Sequence, residues 1–225
     1  MSGRVAAWTG TRNIYGDMYT SLKSFLFRRA IDRAWLLIED DEFPYELPAC
    51  VSVRNVSRQA YFPPDGPNMS SHFTYMAMIR AALCHEFPEL DTILALDCDV
   101  VALAGAAGIW STEIGDNYYA AAQELHRHPG YKNIGVTLYN LAKLRDGKAD
   151  EVIKALNTRF YRFVEQDAMN ELCAGHIAEL DGNYNACDYT EHKSVPKILH
   201  FAGRRDFRDH LEWVDASRIP LEACV

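Results

Sequence analysis

Residues 93–103 read ILALDCDVVAL. An apolar run ends at Asp97, two carboxylates bracket Cys98, and apolar residues resume. An apolar run of this kind predicts a strand buried on both faces, as in a parallel sheet. Side chains two apart on a strand point the same way, so Asp97 and Asp99 are expected to converge while Cys98 faces away. Carboxylates beside a buried strand cost free energy unless something uses them. At the carboxyl edge of an open α/β sheet, where ligands bind, they suit a hard dication such as Mn²⁺ or Mg²⁺. The pair by itself is also consistent with two acids that cap the turn around AGAAG, 104–108.

Working outward, RVAAWTG (4–10) reads as a first strand and GDMYTSLKSFLFRRAID (16–32) as a helix, with Met18, Leu22, Phe25 and Leu26 on one face. AWLLIED (34–40) and CVSVRNV (50–56) read as the next strands. YFPPDGPNMS (61–70) is a loop by its Pro and Gly content. A helix carrying Met76, Ile79, Leu83 and Phe87 follows, with Ser70 or Ser71 as its cap. Beyond the carboxylates, YYAAAQEL and NIGVTLYNL read as strands, and LAKLRDG and ADEVIKALN as short helices. VEQDAMNELC is a helix with Val164, Ala168 and Leu172 inward, and HIAELD and KILHFAG are late strands. The alternation predicts an α/β fold with an open sheet flanked by helices. No composition shift marks a linker, so 1–225 is expected to be one domain.

The chain has 225 residues, 48% of them hydrophobic, which is enough for a packed core. A net charge of −8 argues against a general nucleic-acid binder but allows a local basic patch. The six cysteines form no CxxC pair, which leaves zinc and redox motifs unsupported and suggests thiols in a reducing compartment. No signal-peptide core and no membrane span appear in the sequence, so a cytoplasmic location is the expectation.

Five segments in order resemble the family-eight glycosyltransferases, the group of glycogenin and the lipopolysaccharide galactosyltransferases. Arg80 stands ahead of AALCHEFPELDTILALDCD at the family's spacing. IGDNYYAAAQEL resembles its LGDNW-like segment, and YKNIGVTLYNLAKLR its FNAGVLLINLKKLR-like stretch. EQDAMN (165–170) is similar to DQDALN, and HFAG (200–203) to the closing HxxG. Each motif is short, but together they span most of the chain.

The resemblance implies a single GT-A domain, a Rossmann-like open mixed sheet flanked by helices, with a nucleotide-binding half (1–103) and an acceptor and sugar half (104–225). It implies a retaining hexosyltransferase that uses a UDP-sugar, with Mn²⁺ (or Mg²⁺) held by Asp97, Asp99 and His200. It implies donor contacts from Thr9, Gly10, Asn13 and Tyr15, the last stacking on uracil, and from Asp97, Cys98, Asn133, Gly135 and Gly203. Gln166, Asp167 and Arg80 take the catalytic positions, with Gln166 near the anomeric carbon, Asp167 on sugar hydroxyls and Arg80 reaching the sugar or a nearby carboxylate. Glu165 replaces the usual aspartate. The family's HxxGxxKPW is here HFAGRRDF, with Asp206 at the lysine position. Arg204, Arg205 or Arg208 is expected to supply the missing cation, Arg205 first because it is nearest. The acceptor is open: a saccharide, glycolipid, protein or modified nucleic-acid base. So is the oligomeric state, a homodimer included. Two other readings stand beside this one, a sugar nucleotidyltransferase and a catalytically inactive nucleotide-sugar-binding relative.

Overall fold

The structure is a computed structural model that describes residues 3–71 and 73–224. Strand β1 (Val5–Thr9) is buried along Val5–Trp8 and leads into helix α1 (Tyr15–Phe27). The predicted stripe is the buried one: Met18, Leu22 and Phe25 are fully covered. Trp8 Nε1 donates to Ser21 Oγ at 3.0 Å, which fixes the helix against the strand. Truncating a side chain such as Leu22 to alanine costs about 2–5 kcal/mol at a site of this kind. The helix stops where Arg29 takes a left-handed backbone (φ 51°) and Ala30 N–H turns back to Phe25 O at 2.9 Å. Glycine is the usual occupant of such a position.

Strands β2 (Arg33–Ile38) and β3 (Val51–Asn55) extend the sheet in parallel. The helix expected after residue 70 begins later and is broken. Thr74 is extended, so neither Ser70 nor Ser71 caps it. It runs as α2 (Tyr75–Met78), a 3₁₀ turn Ile79–Ala82 that carries Arg80, and α3 (Leu83–Glu86). Its predicted inner face holds, with Met76, Ile79, Leu83 and Phe87 all buried.

Strand β4 (Thr92–Leu96) is central and buried on both faces, and its two neighbours differ: β1 is parallel, and the strand Lys132–Asn140 on its other side is antiparallel. The sheet is therefore mixed. After β5 (Val100–Ala102) come β6 (Tyr119–Gln123), β7 (Lys132–Asn140), α4 (Leu141–Leu144), α5 (Lys148–Thr158), α6 (Val164–Leu172) and β8 (Ile177–Glu179). The seven strands lie in the order β3-β2-β1-β4-β7-β6-β8. Leu172 is only partly covered, whereas Val164 and Ala168 are fully buried. Strand β9 (Ile198–His200) pairs antiparallel with β5 in a second, two-stranded sheet, so that His200 lies opposite Val100.

One face of the large sheet packs on the segments from α2 to α6, the other on α1. A small cluster of Val101, Phe201, Phe207 and Trp213 seats α7 (Leu211–Ser217). Lys23 Nζ ties the following segment to α1 through the carbonyls of Ser217 and Ile219, both at 2.8 Å. All six cysteines are free. Among the described residues no helix is long and apolar enough to cross a membrane.

Candidate active site

The topology brings strand ends of opposite direction to one edge. The carboxyl ends of β1, β4 and β6 meet the amino end of β7 there, because β7 runs against both of its neighbours. The loop after β1, the carboxylate pair, Glu124 and the stretch Asn133–Gly135 therefore share one site.

Asp97 and Asp99 do converge, but not by strand alternation. Strand β4 stops at Leu96, and Asp97-Cys98-Asp99 forms a turn into β5. Three neighbours anchor it: Asp97 N–H donates to Gly135 O at 2.8 Å, Phe201 N–H donates to Asp99 O at 2.9 Å, and the Cys98 thiol lies 3.5 Å from Thr9 O. Pairing of β9 with β5 then presents His200, whose Nε2 is 3.4 Å from Asp97 Oδ2 and 3.4 Å from Asp99 Oδ1. One ligand atom from each of the three residues lies within 4.8 Å of the others.

His200 is held by Asn185, whose Oδ1 is 2.8 Å from Nδ1. Asn185 in turn donates from Nδ2 to Asn133 O (3.2 Å) and Asn133 Oδ1 (2.9 Å), which leaves its own oxygen as the acceptor. Nδ1 then keeps its proton, so the proton that a metal would displace is the one on Nε2, and its loss leaves the tautomer a metal ligand needs. Two partly exposed carboxylates and a fixed imidazole fit a hard or borderline dication such as Mn²⁺ or Mg²⁺. Gly135 is what lets the imidazole sit there: a Cβ on residue 135 would fall 2.1 Å from His200 Cε1. Gly135 thus supports the imidazole and lines neither adjoining cavity.

Arg80 is buried and bridges two acids. Nη1 donates to Asp97 Oδ1 at 2.5 Å and to Ile134 O at 3.2 Å, and Nη2 to Glu165 Oε1. Burial pushes the Glu165 carboxyl up, and the guanidinium offsets this only in part. For Asp97 burial acts the same way, but Arg80 and His200 outweigh it and bring the group down to about 2. Glu165 therefore offsets the charge of the arginine that steadies Asp97, a candidate metal ligand.

Val164 opens α6 with a left-handed backbone (φ 44°), unusual for a β-branched residue, at a cost of about 1–3 kcal/mol. Its side chain stays in the core, while Glu165 and Gln166 face the cleft. Gln166 Oε1 accepts from Ile134 N–H (3.2 Å), and Nε2 donates to Glu124 Oε2 and Tyr131 Oη, each at 3.2 Å. Asp167 turns away from the cleft. It accepts from Tyr131 Oη at 2.5 Å and from Phe163 N–H at 2.8 Å, and so positions Tyr131 and the start of α6.

Two cavities meet at this cluster and share Phe73, Asp97, Asp99, Phe163 and Gln166. The first, about 460 Å³, is lined by Thr9, Gly10, Asn13, Arg80, Cys98 and Arg208 among others. The second, about 630 Å³, reaches Glu124, Asn133, His200 and Gly203. Tyr15 belongs to neither. As the first residue of α1 it is buried, its hydroxyl donating to Asp40 Oδ2 (2.9 Å) and accepting from Glu39 N–H (3.1 Å). Arg205 is exposed and also lines neither cavity, whereas Arg204 is held by Asp188 at 2.8 Å. Of the three arginines after Gly203, Arg208 is the one that lines the first cavity, where Asp17 on α1 grips it. Sequence reasoning did not single out Asn185 or Asp17. GNYNACDY offers several polar turn residues and no pattern that selects one, and Asp17 reads as an ordinary acid in the first turn of a helix.

A Rossmann-like mixed sheet with this edge defines the GT-A class of glycosyltransferase folds. Residues 46–205 match the family described as glycosyl transferase family 8, and the chain belongs to that family. Among solved structures it is similar to the galactosyltransferase LgtC, solved with donor and acceptor sugar analogs, at 18% identity over 95% of each chain with a TM-score of 0.70. It is also similar to the glycosyltransferase GlyE of Streptococcus pneumoniae, at 17% identity and a TM-score of 0.75; all of this chain is covered but 62% of that one. Mouse xyloside xylosyltransferase 1 aligns at 15% identity over 89% of this chain and 97% of its own, with a TM-score of 0.64. At these identities the likeness establishes the fold. No curated protein sequence matches the chain.

Proposed function

We propose that this single-domain transferase moves a hexose from a UDP-sugar to an acceptor hydroxyl with retention of configuration. Mn²⁺ or Mg²⁺ would be held by Asp97, Asp99 and His200. The observation that carries the reading is the convergence of these three side chains where the two cavities meet. The metal, when bound, supplies charge neutralisation for the departing diphosphate.

The protein's own groups then have distinct tasks. Arg80 keeps Asp97 ionised and in place. Thr9, Gly10 and Asn13 offer polar groups to the nucleoside in the first cavity, and Asn133 and Gly203 border the second. Gln166 lies on the boundary, fixed by three hydrogen bonds, and its amide is a poor nucleophile. The nearby Glu124 carboxylate is engaged by Asn133, Gln166 and Arg127. A weakly nucleophilic amide and a carboxylate already held by hydrogen bonds favour front-face attack, a phosphate oxygen taking the acceptor proton. Catalysis then rests on positioning and electrostatics.

A donor panel with Mn²⁺, scored by released UDP, tests the reading. Metal-dependent UDP release with a product of unchanged anomeric configuration by NMR is the expected result. Pyrophosphate release would indicate nucleotidyl transfer instead. Binding of UDP-sugars without turnover would indicate an inactive relative.

A further inference from the structure

The second cavity opens to solvent past two arginines. Arg127 and Arg162 both line it, and neither lines the donor-side cavity. Both guanidiniums lie against the Phe163 ring, whose centroid is 4.4 Å from the Arg127 guanidinium carbon and 5.5 Å from that of Arg162. Arg127 also lies over Tyr131, at 5.3 Å. Such stacking orients a guanidinium and leaves its edge nitrogens available for planar acceptors.

The charges on this rim are largely uncommitted. Arg127 has one long ionic contact, Nε to Glu124 Oε1 at 3.5 Å, and Arg162 has no ion pair among the described residues. The other arginines around the site each have a close carboxylate partner: Arg80 has Asp97 and Glu165, Arg204 has Asp188, and Arg208, on the donor side, has Asp17. In a protein of net charge −8, two oriented and weakly paired guanidiniums at a cavity mouth mark where an anion is attracted. Tyr189, 37% exposed, adds an aromatic surface to the same cavity, of the kind that packs on a sugar ring.

We propose that this cavity takes an acceptor saccharide bearing an anionic group, a phosphate or carboxylate, which Arg127 and Arg162 grip while a neighbouring hydroxyl is presented beside Gln166. The inference rests on the transferase reading above and deepens it by naming the acceptor class. No new bond chemistry is involved, because the anion binds and does not react. The arginines act on acceptor selection, so their signature is a ratio between acceptors rather than a loss of turnover.

The test compares three methyl glycosides that differ at one carbon: a neutral hexoside, its uronate and its 6-phosphate. Donor and Mn²⁺ are held fixed and kcat/KM is measured for each. At least one anionic acceptor should exceed the neutral one by about tenfold, the effect expected of a charge-assisted hydrogen bond. Comparison of uronate with phosphate tells which anion is preferred. Added salt should shrink the ratio, and Arg127→Gln with Arg162→Gln should bring it close to one. Saturation-transfer NMR of the same glycosides on UDP- and Mn²⁺-loaded protein reads the preference without turnover. Equal use of all three, or a ratio unchanged in the double variant, would overturn the proposal while leaving the transferase reading intact. Preferential glycosylation of an acidic peptide would also overturn it. If no UDP-sugar is consumed but the anionic glycosides still bind through the two arginines, the transferase reading fails and the anion site stands.

Discussion

Asn185 Oδ1 lies 2.8 Å from His200 Nδ1, and this contact sets the direction in which the imidazole can bind anything. Asn185 is itself fully buried and locked by Asn133. Asn185→Ala should weaken Mn²⁺ binding by about 10–100-fold, the usual cost of losing a group that orients a ligand. Calorimetric titration of the metal reads this directly. An unchanged affinity would mean that Nε2 is not a ligand.

Gly135→Ala should be worse than its size suggests. The added methyl group meets the imidazole at 2.1 Å, so His200 or β7 must move. A loss of about 1–3 kcal/mol is expected for overpacking of this kind. The Mn²⁺-dependent rise in Tm should disappear with it. A variant that keeps that rise would show that the imidazole can vacate its seat without cost to the metal site.

Arg208 and Asp17 form a two-point contact, Nε to Oδ1 at 2.8 Å and Nη2 to Oδ2 at 2.5 Å, at the wall of the first cavity. Asp17 takes Nε and Nη2, and of Arg204, Arg205 and Arg208 only Arg208 borders this cavity, so it is the one that a diphosphate bound there would meet. Arg208→Ala should lower turnover more than it weakens UDP binding, and Arg208→Lys should not restore it fully, because a forked donor becomes a point charge. Arg205→Ala should be close to silent in both. The reverse ranking in parallel kcat and UDP-affinity measurements would return the role to Arg205.

The metal response should depend on pH. Burial alone would lower the His200 imidazole, but Asp99 and Asp97 outweigh it and raise the group well above its ordinary value. Without metal, its contribution to stability is complete below the unfolded value of about 6.5 and is lost as pH rises through the raised folded value. Asp97, brought down to about 2, acts oppositely: its contribution is present above the unfolded value of about 4 and is lost as pH falls through the folded one. A metal must displace the His200 proton, so the Tm gain from Mn²⁺ should grow between about pH 6 and about pH 8. A gain independent of pH would remove His200 from the ligand set.

The sequence by itself determined the parts that depend on near neighbours. Hydrophobic runs and helical spacing placed β1, β4, α1 and the inner face of α6, and the order of short motifs identified the family and the three candidate ligands. What it could not decide were contacts between distant segments. Tyr15 is near Asn13 in the chain, but it is already the first residue of α1, and the helix turns its ring under Glu39 and Asp40. Glu165 and Asp167 are two acids in one helical turn; the left-handed Val164 and the partners Arg80 and Tyr131 decide that one faces Arg80 and the first cavity and the other faces away. Arg205 is closer in sequence to the lost lysine, yet the chain buries Phe207 against Trp213 at 4.6 Å and carries Arg208 to Asp17, 191 positions earlier. Periodicity and propensity are local quantities, whereas the choice among several arginines, asparagines or acids is made by whichever distant partner the packed core brings within hydrogen-bonding reach.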